Sequence, residues 1–450
     1  VADYLPHTAE EIDEMLSFVG LDSIDELFAH IPAAVQVAGG LAIPQGMAEP
    51  DVSAWLEELA AANRDLVCFA GAGAYDHEVP AVVRALAMRS EFVTAYTPYQ
   101  PEVAQGVLQA IFEYQTVVSR ICGMPVANAS LYDGASSLVE AVNLTVASSG
   151  SSKVLVSRGV HPHWRAVLRT FAVGTGHEII EVDLHDGQSQ WPTDLSGVGT
   201  IVVAYPNVLG CLEEIAALRP MANAVGAKLV VAIDPVLAGS VATAGSLGAD
   251  VVIAEGQPFG TALSFGGPYL GIFATTHEEI RRLPGRLVGQ TLDTEGRTAY
   301  VTTLRTREQD IRREKATSNV CTNQTLMAVA AAVQLGWLGT QGLAAIARNS
   351  IRAGRYAREQ LLAISGIESA TGSTPSLREF AINLPMDAST VIERVADDGY
   401  LAGISLGALT DGESGVIAGD PFKSLLIATT ERRTRSQIDG LVASIAKAVA

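Results

Sequence analysis

An α/β fold built on a mostly parallel sheet with helices on both faces is what this sequence predicts, from three observations. First, four short runs rich in β-branched residues recur: KVLVS (153–157), TIVVAYP (200–206), KLVVAID (228–234) and DVVIAEG (250–256). Second, longer helical segments such as LEEIAALRPMANAVGA (212–227) separate them. Strands alternating with helices require crossover connections, and crossovers give parallel strands. Third, 48% of the 450 residues are apolar and mean hydropathy is +0.26, mostly from Ala, Val and Gly in short blocks. That composition suits strands buried on both faces and a large subunit interface.

The elements follow in order. HTAEEIDEMLSFVG opens with Thr8 as a cap and Glu11 three residues on, the pattern of a capping box. Ile12, Met15, Leu16 and Val19 form a helical stripe that Gly20 ends. DSIDELFAHIP predicts a second helix, and AGGLAIPQGMAEPD (38–51) a Gly/Pro-rich linker. Residues 1–60 are thus expected to form an N-terminal helical arm and linker, and 61–340 a large α/β domain. A long helical stretch is expected over about 307–363. REFAINLP and KSLLIATT read as strands and SQIDGLVASIAKAV as a closing helix, giving a small C-terminal α+β domain over 341–450.

Bulk properties exclude some partners. The formal net charge is −19, with 30 basic against 49 acidic residues. Nucleic acid is therefore not expected, because phosphate neutralisation needs clustered Lys and Arg. No run approaches the ~20 uninterrupted apolar residues of a membrane span, so no membrane partner is expected. The N-terminal VADYLPHTAEEIDEML is acidic and polar, unlike a signal or transit peptide, and a cytoplasmic location is expected. Cys68, Cys122, Cys211 and Cys321 follow no metal-ligand spacing and read as free core thiols in a reducing cytosol.

Ligands of parallel sheets bind beyond the carboxyl ends of the strands. The strand-end residues here are Ser157–His161, Tyr205–Asn207, Asp234–Pro235 and Glu255–Gln257. His161 and His163 form an H-x-H pair, but no third ligand stands out and no metal is expected. GAGA (71–74) is a lone glycine-rich loop and a weak signal. Asp133-Gly134-Ala135-Ser136-Ser137 leads into an Ala-rich stretch. The free N–H groups of such a helix start can cradle an anion, or the segment is an ordinary N-cap. Asp234 ends a strand, where large-domain pyridoxal-phosphate (PLP) enzymes hold an aspartate against the pyridine nitrogen. Such enzymes carry the coenzyme on a Schiff-base lysine one strand later. That strand and its continuation, 250–271, hold no lysine, and neither Lys153, Lys228, Lys315, Lys423 nor Lys447 is placed for the role. EFVTAYTPYQPEVAQG (91–106) gathers Tyr96, Tyr99, Gln100 and Glu102 around Pro98 and Pro101, just before a helical pattern. LRTREQDIRREKATSNVCTNQ (304–324) turns from dense charge to Thr317, Ser318, Asn319 and Thr322, a polar loop suited to a site.

Several long blocks, YLPHTAEEIDEMLSFVGLDSIDELFAHIP, AYTPYQPEVAQG, ANASLYDGASSLVEA, EGQPFGTALSFGGPYLG and LRTREQDIRREKATSNVCTNQ, resemble the P-protein of the glycine cleavage system. The likeness is to the N-terminal (alpha) subunit of its two-subunit form. It runs past residue 325 and is looser in the small domain. Val93, Asp310, Thr261 and Ala262 depart from the pattern and spare the tyrosines. The resemblance implies a PLP-dependent transferase fold type I-like large domain and an α2β2 assembly with a beta subunit. It implies glycine decarboxylation by pyridoxal phosphate carried on that beta subunit, with transfer of the aminomethyl group to lipoylated H-protein. It also implies that Tyr96, Tyr99, Gln100 and Glu102 act across the subunit interface, and that Asp234, Ser136 and Ser137 are vestiges of a coenzyme site. Two rival readings are a purely structural partner and a self-sufficient type I decarboxylase or aminotransferase.

Overall fold

The computed structural model describes residues 6–37 and 41–450; the start of the arm, 1–5, and residues 38–40 of the expected linker lie outside the described residues. The chain divides into two compact units, Val1–Arg64 and Asp65–Ala450. In the first, Ala9–Val19 is a helix with the expected capping box, Thr8 N donating to Glu11 Oε2 at 2.8 Å and Glu11 N to Thr8 Oγ1 at 3.3 Å. Gly20 stops it with a left-handed φ of 76°. The second expected helix is only a 3-10 turn, Ile24–Phe28, whose Ser23 makes no cap bond. The expected linker is shortened at its far end, because a helix spans Glu49–Ala61 with Pro50 in its first turn, where proline's missing N–H costs nothing.

The second unit is organised by a seven-stranded sheet. Its spatial order is Val126–Ala127, Gly271–Thr275, Val251–Glu255, Lys228–Ile233, Val198–Tyr205, Lys153–Ser157 and Glu178–Val182. All pairings are parallel except the two made by Gly271–Thr275. Side-chain alternation sends Leu229 and Val231 into one core and Val230 and Ala232 into the other. The first core takes Val118, Leu218 and Ala328 from the helices Gln105–Cys122, Ile215–Val225 and Thr325–Leu362. The second takes Leu138, Val142 and Leu168 from Gly134–Ser149 and Pro162–Thr175. Covering both faces is what makes the strand sequences continuously apolar.

The long helix begins at Thr325, not near 307. Before it, Leu304 and Arg313 hold left-handed φ values of 54° and 51°, which a continuing helix of L-residues cannot accommodate. Gly339, with φ 59°, interrupts the helix itself. By length and composition this helix could cross a membrane, but Ala328, Ala331 and Leu335 pack into the sheet's core. An unanticipated hairpin, Leu287–Leu292 with Thr298–Thr303, lies beside Gln105–Cys122.

Toward the C-terminus, a four-stranded antiparallel sheet orders Glu368–Ser369, Glu379–Asn383, Ser424–Ala428 and Ile404–Ser405. Helices Ala388–Asp397 and Arg435–Val449 cover one face. The other face, through Ala381 and Leu426, packs on Val208 and Leu209 just past a strand of the large sheet. This contact carries the start of Glu379–Asn383 over the large sheet's strand ends. The short strand Val67–Cys68 pairs in parallel with Tyr400–Leu401. The cysteines are all free; Cys122 and Cys211 are buried and Cys68 half-buried, but Cys321 is exposed, contrary to its expected place in the core.

Candidate active site

Four of the expected strand ends converge on one cavity of about 80 Å³, through Gly159, His161, Asn207, Asp234 and Glu255. That is room for a few waters, each needing ~10–15 Å³. Arg378, carried in by the small sheet, enters the same cavity and is 1% exposed. Its Nε lies 2.5 Å from Asp234 Oδ2, while Asp234 Oδ1 accepts from Val236 N at 3.1 Å. The Arg378 guanidinium lies 3.7 Å from the centre of the Tyr75 ring. Its Nη1 is 2.7 Å from His77 Nε2, and His77 Nδ1 is 2.6 Å from Glu431 Oε2. Arginine only donates, so Nε2 accepts and the ring proton sits on Nδ1, facing Glu431. Burial lowers the His77 pKa, which keeps this neutral tautomer. Tyr75 Oη donates to Glu379 Oε2 at 2.8 Å and Ala72 N to Oε1 at 2.7 Å. Burial nonetheless pushes Glu379 up to about 7. Gly71 is glycine for space here: a Cβ would stand 2.3 Å from Glu379 Oε1.

A second cavity of about 500 Å³ shares His161, Trp164 and Glu255 and reaches Asp133 at the start of Gly134–Ser149. The N–H groups of Gly134, Ser136 and Ser137 there have acceptors from the chain itself. Ser136 N donates to Asp133 Oδ1 at 2.6 Å, and Gly134 N to Glu255 Oε2 at 2.9 Å. Ser137 Oγ donates to Asp133 O at 2.9 Å. Both ring nitrogens of His161 are engaged, Nε2 with Ala72 O at 2.8 Å and Nδ1 with His163 N at 3.1 Å. Burial drops its pKa to about 4. Gln257 stands just past the strand Val251–Glu255, its amide bonded to Tyr75 N, Tyr75 O and Thr261 O. No lysine lines either cavity. Lys228 lies at the opposite end of its strand, 3.4 Å from Glu279.

Tyr96, Tyr99, Gln100 and Glu102 occupy a separate place. Tyr96, Tyr99 and Gln100 lie on the loop between the short helices Ser90–Val93 and Pro101–Val103, and Glu102 lies within the second. All four are exposed, Tyr96 at 76% and Tyr99 at 62%. Gln105 ties the loop's end to the hairpin, donating to Pro101 O at 2.7 Å and Tyr300 O at 2.9 Å. A cavity of about 240 Å³ lies beside Thr97 and Tyr99, lined also by Arg286, Thr302 and Glu308. It shares no lining residue with the strand-end cavities. The chain therefore gathers Asp234 with the strand ends and leaves the tyrosine loop facing outward. Sequence reading missed Arg378, Tyr75, Glu379 and Arg286. Tyr75 and His77 share the segment AYDHEVP (74–80), and that histidine meets the Arg378 guanidinium.

This sheet order, with one antiparallel strand and a small C-terminal sheet over the strand ends, defines the fold of type I pyridoxal-phosphate enzymes. A NifS-like protein from Rickettsia africae aligns over 85% of this chain and 99% of its own with TM-score 0.59 at 10% identity, a likeness of fold alone. Residues 2–398 match the family model described as glycine cleavage system P-protein, and the chain belongs to that family. Among its relatives is a probable glycine dehydrogenase (decarboxylating) subunit 1 of Chlorobium chlorochromatii, 44% identical over 98% of both chains. The protein of the same name from Moorella thermoacetica is 43% identical, again over 98% of both. A crystal structure of the glycine decarboxylase (P-protein) of the glycine cleavage system, in inhibitor-bound form, superposes with TM-score 0.90 at 40% identity, covering 99% of this chain and 100% of the other.

Proposed function

We propose that this chain is the alpha subunit of a heteromeric glycine decarboxylase and completes an active site whose pyridoxal phosphate and lysine belong to a second, beta subunit. One observation carries the assignment of the coenzyme to the partner: Arg378 occupies Asp234, the residue that would face the pyridine nitrogen. The remaining residues do not fit the coenzyme either. Gln257 stands in the stretch where the lysine is expected, and Glu255 and Asp133 take the Gly134, Ser136 and Ser137 N–H groups at the helix start where a phosphate would sit.

In this reading the complex is α2β2, the substrate is glycine, and the aminomethyl group left by decarboxylation passes to the lipoyl arm of H-protein. What this chain supplies is the loop with Tyr96, Tyr99, Gln100 and Glu102. Its exposed phenols can donate hydrogen bonds, offered across the interface on a loop that Gln105 fixes to the hairpin. Tyr96→Phe or Tyr99→Phe in the assembled complex is expected to lower turnover by ~10²–10³-fold, the effect of losing a donor used only in the transition state. Assembly and coenzyme content should not change. Unaltered turnover in both variants would leave the chain a purely structural partner. Coenzyme absorbance fixed by borohydride on the isolated chain would instead make it self-sufficient.

A further inference from the structure

Three arginines are buried among the described residues: Arg165, Arg286 and Arg378. Arg165 lies 2.5 Å from Glu181 and 2.6 Å from Glu413, and Arg378 lies 2.5 Å from Asp234. Arg286, 9% exposed, has no such partner. Its Nη1 donates to Thr97 Oγ1 at 3.5 Å, Thr322 Oγ1 at 3.3 Å and Asn323 Oδ1 at 3.2 Å, and its Nη2 to Cys321 O at 3.2 Å. All four acceptors are neutral and all four bonds are long. No carboxylate among the described residues comes within the 4.0 Å of an ion pair. A guanidinium does not give up its proton, and a buried cation without a counter-charge is costly.

The cavity of about 240 Å³ onto which Arg286 faces is lined also by the carboxylates of Glu308 and Asp310, neither of which pairs with Arg286. Asp310 on its wall is held by Arg305 at 3.1 Å. Burial raises the Glu308 pKa, against the pull of Arg307 and Arg286. Tyr99 lies over the Arg286 guanidinium at 5.6 Å, and Thr97 and Thr302 add hydroxyls to the lining.

We infer that this cavity is a receptor for a small oxyanion brought in across the interface, with Arg286 as the cation that binds it. The inference rests on the shared active site proposed above. Two groups in such a site have this chemistry, the carboxylate of glycine and the phosphate of the partner subunit's coenzyme. A planar fork matches either bidentately.

The test is made on the assembled complex with Arg286→Met and Arg286→Lys, reading the KM for glycine, kcat, and the dissociation constant of pyridoxal phosphate. Losing hydrogen bonds to a charged group should weaken the oxyanion by ~10–100-fold. A rise in KM for glycine with coenzyme affinity unchanged assigns the carboxylate; weaker coenzyme binding with KM unchanged assigns the phosphate. Guanidinium ion added to Arg286→Met should restore part of the loss. A fall in kcat with neither affinity altered would make Arg286 a brace for the tyrosine loop and overturn the inference. If Arg286→Met does not assemble, Arg286→Lys and Thr302→Val carry the same readings. Should Tyr99→Phe lower turnover while the Arg286 variants leave both affinities intact, the shared site stands and only the oxyanion receptor falls.

Discussion

Asp234 is a polar side chain whose role the tertiary structure reassigns. Its place at a strand end suggests a partner for a pyridine nitrogen, and its actual partner is Arg378, 144 positions along the chain. Removing one member of a buried pair strands the other. Arg378→Met is therefore expected to destabilise the fold by about 3–5 kcal/mol, and the double variant Asp234→Leu/Arg378→Met by clearly less; thermal midpoints of the two variants check this. Glu140 gives a pH signature. Burial pushes it up to about 7 from 4.5, against a hydrogen bond from Ser318. The folded state thus holds this proton more tightly than the unfolded chain does. The stability it contributes is complete below pH 4.5 and is lost as pH rises through about 7, a change of about 3 kcal/mol. Glu140→Gln should match the parent chain at pH 4 and exceed it in unfolding midpoint at pH 8. Equal midpoints at both pH values would refute the assignment.

Among the elements, those buried on both faces were legible and those half-covered were not. The four expected strands correspond to Lys153–Ser157, Val198–Tyr205, Lys228–Ile233 and Val251–Glu255. Their continuous apolar runs need no partner information to be recognised. The hairpin Leu287–Leu292/Thr298–Thr303 is only partly buried, and its polar residues hide the alternation. The charged run before Thr325 looks helical by composition, yet left-handed residues break it. Helix ends were readable where a side chain caps them, as at Thr8. Asp133 plays that part for Gly134–Ser149. Asp133→Ala should cost about 1 kcal/mol through loss of the cap, seen as a lowered thermal midpoint.

At the scale of the whole molecule, large apolar and aromatic side chains stand in solvent on two loops. Tyr96 and Tyr99 lie on one, with Val103 in the 3-10 turn that ends it; Leu263 and Phe265 lie on the other, which follows the stretch where a coenzyme lysine is expected. Exposed apolar clusters mark interaction surfaces. Hydrogen–deuterium exchange of amides in 94–104 and 261–268 should slow when the beta subunit is added. Unchanged exchange in both segments would put the interface elsewhere.

The family, the parallel sheet and the lack of a usable lysine were determined by the sequence alone, because they rest on contiguous residues: long motif blocks, apolar runs and a count of one residue type. Only the tertiary structure decided what fills the strand-end cavity. Arg378 reaches Asp234 from a distant part of the chain, with His77 against its Nη1 and Glu431 behind His77, brought there by one sheet packing over the strand ends of another. The same holds for Arg286: in the sequence it is one basic residue among many, and only folding takes it out of water without a counter-charge. Contact partners and desolvation are properties of the packed molecule, and no local pattern encodes them.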